Sequence, residues 1–155
     1  MLDDLRELYQ EVILDHGRSP RNFRRPGHPT CRAEGNNPMC GDTLSVFLVI
    51  NDRDVIEDAA FEGKGCAISV ASASLMTEVL KGKTVAQAEQ LFDAFYALCT
   101  TADLDPDLPD ADADPLERLQ VFSGVRAFPI RVKCATLAWH TMKAALAGEA
   151  EATSE

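Results

Sequence analysis

A chain of 155 residues, 46% hydrophobic and 26% charged, is long enough for one domain with a buried core. Its 25 acids against 15 bases leave a formal net charge of −10, which argues against nucleic acid or an anionic membrane as the main partner, since both call for a basic surface. Met1-Leu2-Asp3-Asp4 leads straight into a helical pattern and no apolar run is long enough to span a bilayer, so neither a secretory signal nor a membrane anchor is expected and the expected setting is cytoplasmic. Five cysteines, an odd number in a reducing compartment, do not make a disulfide framework.

In chain order, Leu2, Leu5, Leu8, Tyr9, Val12, Ile13 and His16 recur every three or four residues, which predicts an amphipathic helix over 3–16 closed by Gly17. His16 in its last turn suits the helix dipole better than a ligand role. Residues 17–29 lack periodicity and form a loop whose Arg18, Arg21, Arg24 and Arg25 are the one basic cluster. A solvated loop is the expectation there, and docking of an acidic partner the functional alternative. Cys31 falls in a short strand around 30–35. Thr43 to Asn51 predicts a buried strand, Asn51-Asp52-Arg53-Asp54 a turn, and Val55 to Phe61 a returning strand. After Glu62-Gly63-Lys64-Gly65, a helix is expected from Cys66 to Lys81, stopped by Gly82. Its Ala- and Ser-rich first half allows close approach to a neighbour.

Thr84-Val85-Ala86-Gln87 is a capping box. Val85, Ala88, Leu91, Phe92, Phe95, Leu98 and Cys99 then trace one apolar face, which makes Cys99 a core residue. Residues 101–114 carry six aspartates and two prolines within an acidic insertion near 100–123, read as an exposed loop because the spacing is not that of an EF-hand. A short helix near 115–122 and a turn at Ser123-Gly124 follow. Phe128-Pro129-Ile130-Arg131-Val132-Lys133 is the lead-in to a helix from Cys134 to Gly148, with Trp139 and His140 on its flank. Residues 1–148 are expected to be a single domain, and 149–155 a disordered tail.

The chemistry concentrates in Asn37-Pro38-Met39-Cys40-Gly41-Asp42. In an extended backbone, residues two apart point to one side, so Cys40 and Asp42 face one ion. Cys66 and Cys134 each open a predicted helix, where unpaired N–H groups favour an anion. Cys40, Asp42, Cys66 and Cys134 together make a tetrahedral zinc shell of three thiolates and one carboxylate. With no histidine placed to join it, and no open position for water, hydrolysis is disfavoured. A purely structural site would more often hold four cysteines, or cysteine with histidine. One aspartate among thiolates suggests a site whose ligands exchange and release a nucleophilic thiolate. Lys133 and Arg131 bring positive charge beside Cys134, and Arg131 shares its face if that turn is helical.

Several stretches carry a resemblance: Leu8-Tyr9-Gln10-Glu11-Val12-Ile13-Leu14-Asp15-His16, Ser19-Pro20-Arg21-Asn22, Asn37 to Asp42, Phe61 to Ser69, and Phe128 to Leu137. In these the chain resembles the SufU-type iron–sulfur assembly proteins of the wider IscU/NifU N-terminal family. The resemblance implies an α+β fold, with a small three-stranded antiparallel sheet packed against helices. It implies zinc-dependent transfer of persulfide sulfur from a SufS-type cysteine desulfurase, a pyridoxal-phosphate enzyme, for delivery to a downstream Fe–S scaffold complex. By motif position Cys40, Asp42, Cys66 and Cys134 are the zinc ligands, Cys40 is also the sulfur acceptor, and Arg131 steadies the thiolate or the persulfide. Scaffold members of the family carry histidine before the last cysteine and a Leu-Pro-Pro-Val-Lys chaperone stretch. This chain has Lys133 and Phe-Pro-Ile-Arg-Val-Lys instead, with the added segment near 100–123. The alternatives are a scaffold on which a transient [2Fe–2S] cluster is built, and a non-catalytic zinc-stapled binding module.

Overall fold

The computed structural model describes residues 2–38, 41–100 and 118–153. The chain runs α1 (Leu2–Arg18), β1 (Cys31–Asn37), β2 (Asp42–Ile50), β3 (Ile56–Lys64), α2 (Ala67–Leu80), α3 (Val85–Thr100), a 3-10 helix (Gln120–Ala127), α4 (Pro129–Leu146) and β4 (Glu151–Thr153). One sheet, ordered β3-β2-β1-β4, packs against the helices and gives the expected α+β class. It has four strands rather than the three expected. The fourth comes from within the stretch 149–155, read from sequence as a disordered tail: β4 runs parallel to β1, with Gly35 opposite Ala152. β1 and β2 pair antiparallel from Cys31–Leu48 to Asn37–Asp42, so the hairpin brings Asn37 and Asp42 directly opposite each other at its closed end.

Sequence chemistry explains the local boundaries. Thr84 and Gln87 make both reciprocal bonds of the capping box: Thr84 N–H donates to Gln87 Oε1 at 2.9 Å and Gln87 N–H to Thr84 Oγ1 at 3.1 Å. Asn51 Oδ1 accepts from the N–H groups of Arg53 (2.9 Å) and Val55 (3.1 Å), an Asx turn that fixes the β2–β3 connection. Two expectations give way near the second lead-in. Ser123 and Gly124 lie inside the 3-10 helix rather than forming a turn. Helix α4 starts at Pro129, because proline needs no N–H partner in a first turn and its fixed φ is already helical. Cys134 therefore lies in the second turn of a helix and not at its start. The acidic stretch 101–114 and residues 115–117 lie outside the described residues.

The Ala/Ser half of α2 is packed between β3, α1 and α4. Ala71, Ser72, Ala73 and Ser74 are fully buried, and the hydroxyls are all satisfied. Ser72 Oγ donates to the Ala135 carbonyl, while Ser74 Oγ bonds His16 Nδ1 at 2.7 Å and accepts from Arg21 N–H at 2.8 Å. His16 is thus a buried, hydrogen-bonded core histidine. Burial, reinforced by the Arg21 charge, lowers its pKa below the ordinary value. The arginine loop is tied down by acids of the same chain, Arg21 to Asp15 and Arg24 to Asp58 at 2.7 Å and Arg25 to Glu62 at 3.5 Å. These pairings favour the structural reading of that cluster over an acid-docking one. Asn22 and Arg24 also bond the backbone of Phe61, which covers the outer edge of β3.

Helix α4 lies across β1 and β2 at a distance only glycine permits: a Cβ at Gly35 would overlap Thr141 Oγ1. Trp139, placed on a flank from sequence, is fully buried and stacks on Phe95 with ring centroids 4.7 Å apart. His140 is half-buried against Phe92 and Tyr96. Cys99 is fully buried, as its stripe predicted, and burial pushes its thiol up to about 12.

Candidate metal centre

Three predicted ligands come from three elements. Asp42 opens β2, Cys66 is the N-cap of α2 with an extended backbone (φ −68, ψ 168), and Cys134 lies in α4. Their ligating atoms lie within 4.8 Å of one another. A tetrahedral zinc with thiolate and carboxylate ligands needs about 3.6–3.8 Å between ligand atoms, from the usual bond lengths. The trio therefore fits zinc with side-chain shifts of about an ångström. Asp42 and Cys134 are buried, at 1% and 3% exposure, while Cys66 is exposed, so the cluster opens to solvent on one side.

Cys40 lies outside the described residues, within the β1–β2 connection. Gly41, at φ +73, donates its N–H to the Asn37 carbonyl at 2.8 Å and returns the chain to Asp42. Arg131 is in the first turn of α4, three residues before Cys134, as the shared-face argument required. It is exposed and its guanidinium covers the Phe128 ring, 4.6 Å from the centroid. Cys31 and Cys99 are not in the cluster. Cys31 packs half-buried beside the core, and burial raises its pKa.

Two site residues escaped the sequence reading. Asn37 is fully buried, and its amide donates to Asp42 Oδ2 at 3.3 Å and to Cys134 Sγ at 3.6 Å. Ser69, also fully buried, donates to Asp42 Oδ2 at 2.8 Å and lies 3.2 Å from the Cys134 carbonyl. The hydroxyl has one proton, and the charged acceptor at the shorter distance takes it. Cys66 N–H donates to Asp42 Oδ1 at 3.0 Å, and a Cβ at Gly65 would come within 2.7 Å of the same oxygen. The available signal was spacing: Ser69 follows the N-cap cysteine by three residues, one helical turn, and Asn37 precedes the Cys-Gly-Asp triplet.

Residues 8–107 match the family model of the NifU-like N-terminal domain. The chain belongs to the NifU-like N-terminal domain family. Within that family it is 39% identical, over 94% of each chain, to the zinc-dependent sulfurtransferase SufU of Bacillus subtilis. It is 36% identical to the iron–sulfur cluster assembly scaffold protein IscU of Streptococcus pyogenes, over 97% of this chain and 90% of that one. A candidate iron–sulfur cluster assembly scaffold protein for the SUF system from Fervidobacterium islandicum AW-1 superposes with a TM-score of 0.78. That relative is 31% identical, and the match covers 88% of this chain and 94% of the relative. The NifU-like fold thus accounts for the sheet and for the helices that, in this chain, carry Cys66 and Cys134. No helix among the described residues is long and apolar enough to cross a membrane.

Proposed function

We propose that this chain is a zinc-dependent sulfurtransferase for iron–sulfur cluster assembly, working with a cysteine desulfurase of the SufS type. The observation that carries the reading is the convergence of Asp42, Cys66 and Cys134, in a chain 39% identical to a relative named for that activity. Cys40 is the fourth ligand and the sulfur acceptor. It stands two residues before Asp42, so a chain spacing of about 3.8 Å per residue keeps its Cα within roughly 7 Å of Asp42. Zinc, when bound, keeps its cysteine ligands deprotonated and shielded from oxidants.

In the transfer step the Cys40 thiolate attacks the terminal sulfur of the desulfurase's cysteine persulfide. The donor S–S bond breaks, the donor cysteine leaves as a thiolate, and the new S–S bond stands on Cys40. No external oxidant or reductant is consumed. Asp42, Cys66 and Cys134 hold their positions because they belong to a strand start, a helix cap and a helix interior. Cys40, two residues before Asp42 in the chain, supplies the attacking thiolate. Arg131, exposed one turn before Cys134, steadies the anionic sulfur. A downstream Fe–S scaffold complex receives the sulfur.

A scaffold role is the second reading, favoured by the relatives named IscU, and it would place a transient [2Fe–2S] cluster on the same thiolates. Lys133 in the position where scaffold members carry histidine argues for transfer. Metal analysis of the protein as purified, beside desulfurase turnover with and without it, is the test. Transfer predicts about one zinc per chain and faster turnover, with chelation lowering the thermal transition. A coloured, iron-loaded protein that leaves turnover unchanged would favour the scaffold.

A further inference from the structure

The site owes its shape to more than its ligands. A carboxylate offers about four lone-pair positions. In Asp42, Oδ2 already accepts from the Ser69 hydroxyl (2.8 Å) and the Asn37 amide (3.3 Å). Among the described residues, Oδ1 accepts from Cys66 N–H alone (3.0 Å). The remaining lone pair therefore belongs to Oδ1. Both oxygens are pinned from opposite sides, by the first turn of α2 and by the end of β1, and Gly65 leaves room for Oδ1.

We propose that Ser69, assisted by Asn37, is a positioning residue that saturates Asp42 Oδ2 and so presents Oδ1 alone as a one-atom ligand to the metal. The inference rests on the reading of Asp42, Cys66 and Cys134 as zinc ligands and goes beyond it. The buried hydroxyl restricts the carboxylate to one rotamer. Without it Oδ2 keeps only the longer Asn37 contact among the described residues, the carboxylate is held less firmly, and the trio's preset spacing loosens. The Asn37 amide bridges Asp42 Oδ2 and Cys134 Sγ, so it sets the carboxylate and the thiolate at a fixed separation.

The test is zinc affinity by competition with a chromophoric chelator, together with the thermal transition with and without zinc. It compares the wild type with Ser69→Ala, Ser69→Thr, Asp42→Ala and the Ser69→Ala/Asp42→Ala double variant. Loss of a partner that orients a metal ligand costs about 10- to 100-fold in affinity, and that loss is expected for Ser69→Ala. The rise in thermal transition on adding zinc should shrink with it, while Ser69→Thr, which keeps the hydroxyl, recovers most of both. In the Asp42→Ala background, Ser69→Ala should change affinity by less than about twofold. The inference is overturned if Ser69→Ala binds zinc as tightly as wild type, or if its loss is just as large without Asp42. A wild type that binds no zinc would overturn the ligand reading itself, a result distinguishable from either.

Discussion

Gly35→Ala tests whether the close seating of α4 on β1 governs the metal centre. The added Cβ would overlap Thr141 Oγ1 and come within 3.2 Å of both Leu137 Cδ1 and Thr141 Cβ. Thr141 cannot yield freely, since its hydroxyl is bonded to the Leu137 carbonyl at 2.7 Å and the residue is fully buried. The helix must therefore lift or the strand must bend. Overpacking of this kind costs about 1–3 kcal/mol. For a domain of this size the thermal transition should fall by roughly 2–4 °C for each kcal/mol. Two residues beyond Gly35, Asn37 donates to Cys134 Sγ, so the same displacement should weaken zinc binding. In a Thr141→Ala background the hydroxyl clash is gone but the Leu137 contact remains, so the cost of Gly35→Ala should fall without vanishing. Thermal denaturation and zinc titration of the four proteins give both couplings. An equal cost in both backgrounds, or unchanged zinc affinity in Gly35→Ala, would refute the link between this contact and the site.

Acid should destabilise the fold through His16. Its folded pKa lies below its unfolded value, so its contribution is fully present above about pH 6.5 and is lost as pH falls through the folded pKa, because the unfolded chain takes up the proton first. The loss should be smaller in His16→Gln when both proteins are melted across pH 7.5 to 5. Cys99→Ala should cost on the order of 1 kcal/mol through the cavity it leaves, and Cys31→Ala less. Neither should change zinc content by metal analysis. Arg131→Ala should keep zinc and fold yet slow sulfur transfer in a desulfurase turnover assay, since it removes an exposed charge and a ring contact rather than a buried group.

What was legible in the sequence was local chemistry. The capping box at Thr84, the Asn51 turn, the apolar stripe holding Cys99 and the N-cap position of Cys66 each depend on neighbours within a few residues. Pro129 misled because proline both breaks and begins helices, and Cys134 was placed at a helix start that lies five residues earlier. β4 was missed because Glu151-Ala152-Thr153 has no alternating apolar pattern and joins the sheet through backbone bonding to β1. The arginine loop could not be resolved from sequence, since the Arg24–Asp58 and Arg25–Glu62 pairs span more than thirty residues. Asn37 and Ser69 were hidden for the same reason: their role exists only once a strand end and a helix turn meet at Asp42. The motif cysteines and the aspartate were legible by type, and three of the four converge among the described residues.

The division of labour between three anchored ligands and the sulfur acceptor is tested most directly by Cys40→Ala, with zinc content and desulfurase stimulation measured on the same preparation. Asp42, Cys66 and Cys134 should still hold zinc, with water completing the shell, and the fold should survive while stimulation of turnover is lost. A Cys40→Ala protein that stimulates the desulfurase as well as the wild type would contradict the sulfur-acceptor role, whatever its zinc content.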